Sequence, residues 1–286
     1  MAAALTRPIR TKWLNRINYG EALKLQHNLV NQHLSKPDAT SNQLLLLEHP
    51  PTYTVGKRGA IYDNTVEEYL REKGADFYRV NRGGLITFHG PGQLVAYPIL
   101  KLERRNAIRW YVDTLEVAII DLLGEFGLNG ETSPHTGVWI GDNKICAMGI
   151  NAQKEVTSHG LAINCNTDMS WFGNIVPCGI QDKGVTSLSK GLINMTYSGT
   201  LSNRYKDEVS SSISHDEFLE LVKKFSSNES VIEKLGTLLR NLIHDNVIYV
   251  KSDSQDVLME IFRQMLINLP ITEGLSRFEL RSFSVF

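Results

Sequence analysis

Apolar positions along the chain follow two periods, and the switches between them mark out the elements. Between 21 and 34 they recur at helical spacing: Ala22, Leu25 and Leu29 make one stripe, and Leu23, Val30 and Leu34 widen it. A helix is expected there. Residues 43–47 form a strand, a leucine run stopped by His49-Pro50-Pro51, and 52–55 form another, ended by Gly56. Asn64 followed by Glu67 three positions later predicts a capped helix to about Lys73, closed by Gly74. Residues 77–80 follow as a strand. The longest helical stripe lies in 106–126, with Ile108, Val112, Leu115, Ile119, Leu122 and Phe126 on one face and Gly127 at the end. Trp110 and Tyr111 are assigned to packing. Strands at 137–140 and 144–150 flank Gly141-Asp142-Asn143 as a hairpin, 157–164 is a further strand, and 171–177 is a short turn or helix.

Between 82 and 98 the alternation is interrupted by glycine. The apolar runs 85–88 and 93–97 are separated by Gly90-Pro91-Gly92, which cannot continue a ladder, so the segment reads as strand, tight turn, strand. Four glycines fall within 82–92, beside Arg82, Thr87, His89 and Gln93. Glycine at that density lets backbone approach a ligand closely. Hairpins interleaved irregularly with helices place the chain in the α+β class, with a mixed β-sheet and packed helices. Residues 1–11 read as a basic arm or short targeting segment, 12–193 as the main folded domain, 194–215 as a polar linker and 216–286 as a helical C-terminal segment. In the tail, helices are expected near 216–225, 229–243 and 254–269, with short strands at 246–251 and 278–286.

Composition narrows the function without naming it. The 286 residues are 42% hydrophobic and 21% charged, an ordinary globular balance. Net charge is −1, which offers no broad field for nucleic acid, and no apolar run approaches the ~18 residues of a membrane helix. Three cysteines, an odd number without a Cys-x-x-Cys pair, do not make a disulfide framework and fit a reducing compartment. Arg7, Arg10, Lys12 and Arg16 precede the first acid, a pattern shared by mitochondrial presequences and by basic arms.

Cys178 lies between Pro177 and Gly179, outside any apolar strand, and is the candidate nucleophile. Cys146 and Cys165 lie inside β runs and read as small buried hydrophobes. A thiol is mostly protonated at neutral pH and needs a cation or base beside it. Lys144, entering a strand after a turn, can supply either, or it can be a solvated turn lysine. His49, His89 and His159 have no metal-ligand spacing, so no metal is expected; hydrogen-bonding histidines at strand ends are the simpler reading, and a His–Cys catalytic pair stays open because such partners are neighbours in space rather than in sequence.

Those motifs taken together are what resembles a family. Arg82-Gly83-Gly84-Leu85-Ile86-Thr87-Phe88-His89-Gly90-Pro91-Gly92-Gln93, Glu48 to Gly56, Gly137-Val138-Trp139 with Lys144-Ile145, Ser158-His159-Gly160-Leu161-Ala162, and Pro177-Cys178-Gly179 with Val185-Thr186-Ser187 are similar to the octanoyl-(acyl-carrier-protein):protein octanoyltransferases, the lipoyl(octanoyl) transferase family. The resemblance spans roughly residues 12–190. It implies a fold like the catalytic domains of biotin and lipoate protein ligases and a dyad of Cys178 and Lys144. It implies an acyl site lined by Arg82, Gly83, Gly84, Leu85, Ile86, Thr87, Phe88 and His89, by Ala147, Met148 and Gly149, and by Gly160, Leu161 and Ala162. The implied donor is octanoyl-acyl carrier protein. The acceptors are lysines of lipoyl domains of 2-oxoacid dehydrogenases and of the glycine cleavage H protein, and the location is mitochondrial. No cofactor is implied, because a thioester donor needs no ATP. Two other readings stay open: an ATP-dependent lipoate or biotin ligase, and a non-catalytic protein that binds carrier proteins or lipoyl domains.

Overall fold

The leucine run at 44–47 organises the larger of two sheets. All four side chains are fully buried, so the strand is covered on both faces, as a continuous rather than alternating apolar run requires. The computed structural model describes residues 9–36, 40–102, 107–180 and 182–197. Its elements are β1 (Ile9–Arg16), α1 (Tyr19–Ser35), β2 (Asn42–Glu48), β3 (Thr52–Val55), α2 (Asn64–Glu72), β4 (Asp76–Arg79), β5 (Ile86–His89), β6 (Gln93–Ile99), α3 (Ile108–Glu125), β7 (Val138–Ile140), β8 (Asn143–Gln153), β9 (Val156–Asn164), β10 (Gly184–Val185) and α4 (Leu188–Tyr197). Among the described residues the large sheet has strand order β1-β2-β6-β9-β8-β10, with β7 also on β8, and a small sheet has order β4-β3-β5. Both sheets mix parallel with antiparallel pairs, the α+β arrangement expected.

Helix α1 lays Ala22, Leu29 and Val30 on Leu45, Leu47, Val95, Tyr97, Ile99 and Ala162 of the large sheet. Burying a leucine such as Leu45 contributes about 1.5–3 kcal/mol, and truncating it to alanine would cost about 2–5 kcal/mol. A second cluster joins Leu70 of α2 to Tyr53, Val55, Phe77, Ile86 and Phe88 of the small sheet. Helix α3 packs on β7 and β8.

Several expectations change. β5 and β6 are not a hairpin: β5 pairs with β3, whereas β6 pairs with β2 and β9. Gly90-Pro91-Gly92 does turn the chain, but it hands it from the small sheet to the large one. That turn is held because Cys165 and Asn166 donate backbone N–H, and Thr167 its hydroxyl, to Gly92 O. The cap of α2 is Asp63 rather than Asn64; its carboxylate accepts from Thr65 N and Val66 N. The buried face of α3 is centred on Tyr111, Leu115, Ala118 and Leu122, and Ile108 at its first turn is 38% exposed. Helix α4 was not expected, and it runs four residues into the segment read as a linker. β1 begins at Ile9 and pairs in parallel with β2, so Arg10, Lys12 and Arg16 belong to a sheet strand. The expected elements between 216 and 286 lie outside the described residues.

Candidate active site

A pocket opens where the two sheets meet. The loop before β5 crosses from the small sheet to the large one: Lys57 N donates to Arg82 O, and Gly83 N donates to Ile150 O on β8. Gly56 makes this crossing possible, because a Cβ there would stand 2.5–2.8 Å from the carbonyl oxygens of Gly84, Gly83 and Arg82. On the other wall Gly149 of β8 pairs with Gly160 of β9. A side chain at Gly149 would run into the Arg82 stem. The pocket holds about 440 Å³ of empty space, its open mouth included. Leu85, Ala147, Met148, Leu161 and Ala162 make its apolar wall; Tyr19, Arg82, Thr87, His89, Tyr97 and His159 make its polar floor; Cys178 is at its edge.

Strand alternation sorts the expected residues. Thr87 and His89 of β5 face the pocket, whereas Ile86 and Phe88 point the other way into the core of the small sheet. Ile86 and Phe88 are therefore core residues rather than lining ones. Gly83 is held by Ile150 and does not line the pocket either. Tyr19, Tyr97 and His159 line it without having been expected to. Tyr97 lies in the glycine-rich segment and His159 in its own motif, so both carried a signal. Tyr19, at the start of α1, carried none.

The floor is a directed hydrogen-bond network. Arg82 Nη2 donates to Thr54 O and to Thr54 Oγ1, both at 2.7 Å. The Thr54 hydroxyl is thereby free to donate to His89 Nε2 at 3.2 Å, and His89 Nδ1–H donates to Gln93 Oε1 at 2.8 Å. Gln93 Nε2 donates onward to Asn164 Oδ1 and Asn164 Nδ2 to Thr186 O. His49 is fixed likewise: Nδ1–H donates to Ile17 O, and Nε2 accepts from the Tyr97 hydroxyl. Each tautomer follows from its partners.

Burial sets the charges. Desolvation lowers His89 well below the usual histidine value, reinforced by the nearby His49 and Arg82. It lowers His49 to about 4, against a raising bond from Ile17. It lowers His159 to about 3, with Arg82 adding to the effect. The three rings are neutral at pH 7. Tyr19 is pushed up to about 12 by desolvation. Arg82 is drawn down by desolvation and partly restored by Tyr19, Cys178 and Tyr97. It is 7% exposed and pairs with no carboxylate among the described residues, and its Nε has no partner. A buried guanidinium of this kind gives the pocket a positive wall.

Cys178 sits in a 3-10 turn, Pro177–Gly179, packed on β5. Its backbone is left-handed, φ 55° and ψ 15°. A non-glycine residue held there costs about 1 kcal/mol or more and points to function. The side chain is half-buried, while Cys146 and Cys165 are fully buried. Lys144, 6% exposed, does not line the pocket: its Nζ donates to Thr136 O at 3.0 Å and lies 4.7 Å over the Trp139 ring. No hydrogen bond joins it to Cys178 among the described residues. What links them is the backbone. The chain leaving Cys178 returns as β10, with Val185 in register with Lys144, and Thr186 N donates to Lys144 O. Among the described residues no group of three His, Cys, Asp or Glu side chains could hold a metal ion, and no helix is long and apolar enough to cross a membrane.

Residues 18–200 match the family model of the lipoyl protein ligase A/B catalytic domain. A Danio rerio protein named as a mitochondrial octanoyl-(acyl-carrier-protein):protein N-octanoyltransferase is 58% identical over 185 residues, 64% of this chain and 83% of its own. A Rubrobacter xylanophilus protein named octanoyltransferase is 49% identical over 180 residues, 61% of this chain and 79% of its own. Among solved structures, a putative lipoate protein ligase of T. acidophilum superposes with a TM-score of 0.55 at 15% identity, over 90% of this chain and 95% of that one. At that identity the likeness speaks for the fold alone.

Proposed function

Because the chain belongs to the lipoyl protein ligase A/B catalytic domain family, in its octanoyltransferase branch, we propose that it moves an octanoyl group from an acyl-carrier-protein thioester to a lysine of a lipoyl domain, with Cys178 as the carrier. The observation that carries this reading is one half-buried cysteine, held in a strained turn, at the edge of a pocket whose walls are apolar and glycine-lined. Such walls suit a medium acyl chain. Cys178 Sγ attacks the donor carbonyl, the bond from carbon to the carrier sulfur breaks, and the carrier leaves as a thiol. The target amine then attacks the Cys178 thioester, the new C–S bond breaks, and an amide remains. Both steps pass through an oxyanion beside the Arg82 wall, where positive charge lowers the barrier. Lys144 supports the Cys178 thiolate as a cation, gives its proton to the departing carrier sulfur, and, neutral after that transfer, takes the proton that the attacking amine must lose. The lipoyl domains of 2-oxoacid dehydrogenases and the glycine cleavage H protein are the proposed acceptors, and the mitochondrial names of the animal relatives support that compartment.

The test is transfer itself. Octanoyl-carrier protein and an isolated lipoyl domain are incubated with the full chain, without ATP, and the domain's mass is followed. One octanoyl added per domain is expected. Modification that instead needs ATP and free lipoate, and that survives Cys178→Ser, would contradict the proposal and favour a ligase.

A further inference from the structure

Among the described residues, the mechanism above leaves one buried charge unused. Glu116 is on α3, 6% exposed, at a site that an amphipathic helix would ordinarily fill with an apolar residue. Its Oε1 accepts the backbone N–H of Gly137 at 2.7 Å. The carbonyl of the same peptide unit, Thr136 O, accepts Lys144 Nζ at 3.0 Å. One peptide group thus stands between a buried carboxylate and a buried ammonium, its N–H toward the first and its C=O toward the second. Gly137 has φ +120°, and a Cβ on it would meet Cys146 O at 2.5 Å and the Lys144 stem at 3.4–3.5 Å. The peptide and the lysine stem are packed against each other, so the placement of one determines that of the other.

We propose that Glu116 is a positioning residue for Lys144, acting through the Thr136–Gly137 peptide. The inference rests on the reading of Lys144 as the partner of Cys178. Hydrogen bonds with an ionised partner are about twice as strong as neutral ones, and those at the two ends of one peptide polarise it in the same sense. Neither charged group has a direct partner of opposite charge among the described residues. Lys183, which shares the Trp139 ring with Lys144, is already paired with Asp142. The peptide therefore ties Lys144 to α3, the element that packs on β7 and β8.

The test uses the full chain with Glu116→Gln, Glu116→Leu, Lys144→Ala and the double variant Glu116→Leu/Lys144→Ala. Octanoyl transfer and the rate of Cys178 alkylation by iodoacetamide are both followed; Cys146 and Cys165 are fully buried, so alkylation reads Cys178. Glu116→Leu should lower kcat about 30-fold and Glu116→Gln, which keeps an acceptor, about 3- to 10-fold, with KM for the donor unchanged. In the Lys144→Ala background the leucine change should have no further effect. The Lys144 ¹⁵Nζ and Gly137 amide signals should both move in Glu116→Gln, an isosteric change that guards against misfolding of the leucine variant. The same fold-loss in both backgrounds, or a Lys144 signal that stays put in Glu116→Gln, overturns the proposal. Lys144→Ala as active as the unaltered chain removes the dyad and the proposal with it. Full activity of both Glu116 variants beside a crippled Lys144→Ala removes the proposal alone.

Discussion

At the floor of the pocket and directly behind it, His89, His49 and Gln93 are each held from two sides by hydrogen bonds to other residues. At its edge the Cys178 sulfur makes no hydrogen bond among the described residues, and the turn that carries it is strained. The contrast separates two jobs. The floor uses burial and reciprocal bonding to hold neutral histidines and an arginine in one arrangement, and disturbing it should cost stability. The edge carries a group that must react twice and be regenerated, and disturbing it should cost rate. In a buried polar network each unpaired member costs more than a bond formed returns, and here Arg82 Nε and His159 Nδ1 are the unpaired ones in the floor.

Cys178→Ala breaks the edge alone. Turnover should fall at least ~10⁴-fold, about 5.4 kcal/mol on the barrier, while the denaturation midpoint stays close to that of the unaltered chain. Acid breaks the floor alone. His49 and His159 have folded values of about 4 and about 3, and His89 is lowered in the same direction. Between those values and about 6.5 the unfolded chain binds protons that the folded chain refuses, so stability is complete above pH ~7 and is lost as the pH falls. By pH 5.5 His49 and His159 should each cost about 1.4 kcal/mol, roughly 3 kcal/mol together, with His89 adding in the same direction, measured by urea unfolding across pH. Stability that is flat from pH 7 to 5.5 would mean the rings are not held neutral. Gln93→Leu removes the middle of the network and leaves His89 Nδ1–H and Asn164 facing carbon; a loss of about 2–3 kcal/mol is expected by the same measurement. Thr54→Val removes only the hydroxyl between Arg82 and His89 and should cost about 1 kcal/mol, since Arg82 keeps the Thr54 carbonyl. A larger effect for Thr54 than for Gln93 would invert the proposed order of the network.

Local chemistry was legible in the sequence, and partners across space were not. Leu44 to Leu47 read as a buried strand because nothing polar interrupts it, and the 141–143 turn read as a hairpin because its flanks pair with each other. Gly90-Pro91-Gly92 read equally well as a turn, but a turn does not say whether the strands it joins share a sheet. The glycine-rich motif marked the pocket as a block; alternation within β5 then divides it, sending Thr87 and His89 inward and Ile86 and Phe88 into the core. Tyr19 reaches the pocket only because α1 packs over β6 and β9, a contact with no local pattern. Glu116 carries no signal in the sequence, because its partner, Gly137 N–H, is a backbone group that any sequence contains.

The most direct test of the account is the intact mass of the full chain mixed with octanoyl-carrier protein in the absence of any acceptor. The account predicts one added octanoyl group, located on Cys178 by peptide mapping, released by hydroxylamine at neutral pH, absent in Cys178→Ala, and discharged when a lipoyl domain is added. Octanoyl transfer that proceeds without a hydroxylamine-labile adduct, or at full rate in Cys178→Ala, would contradict it.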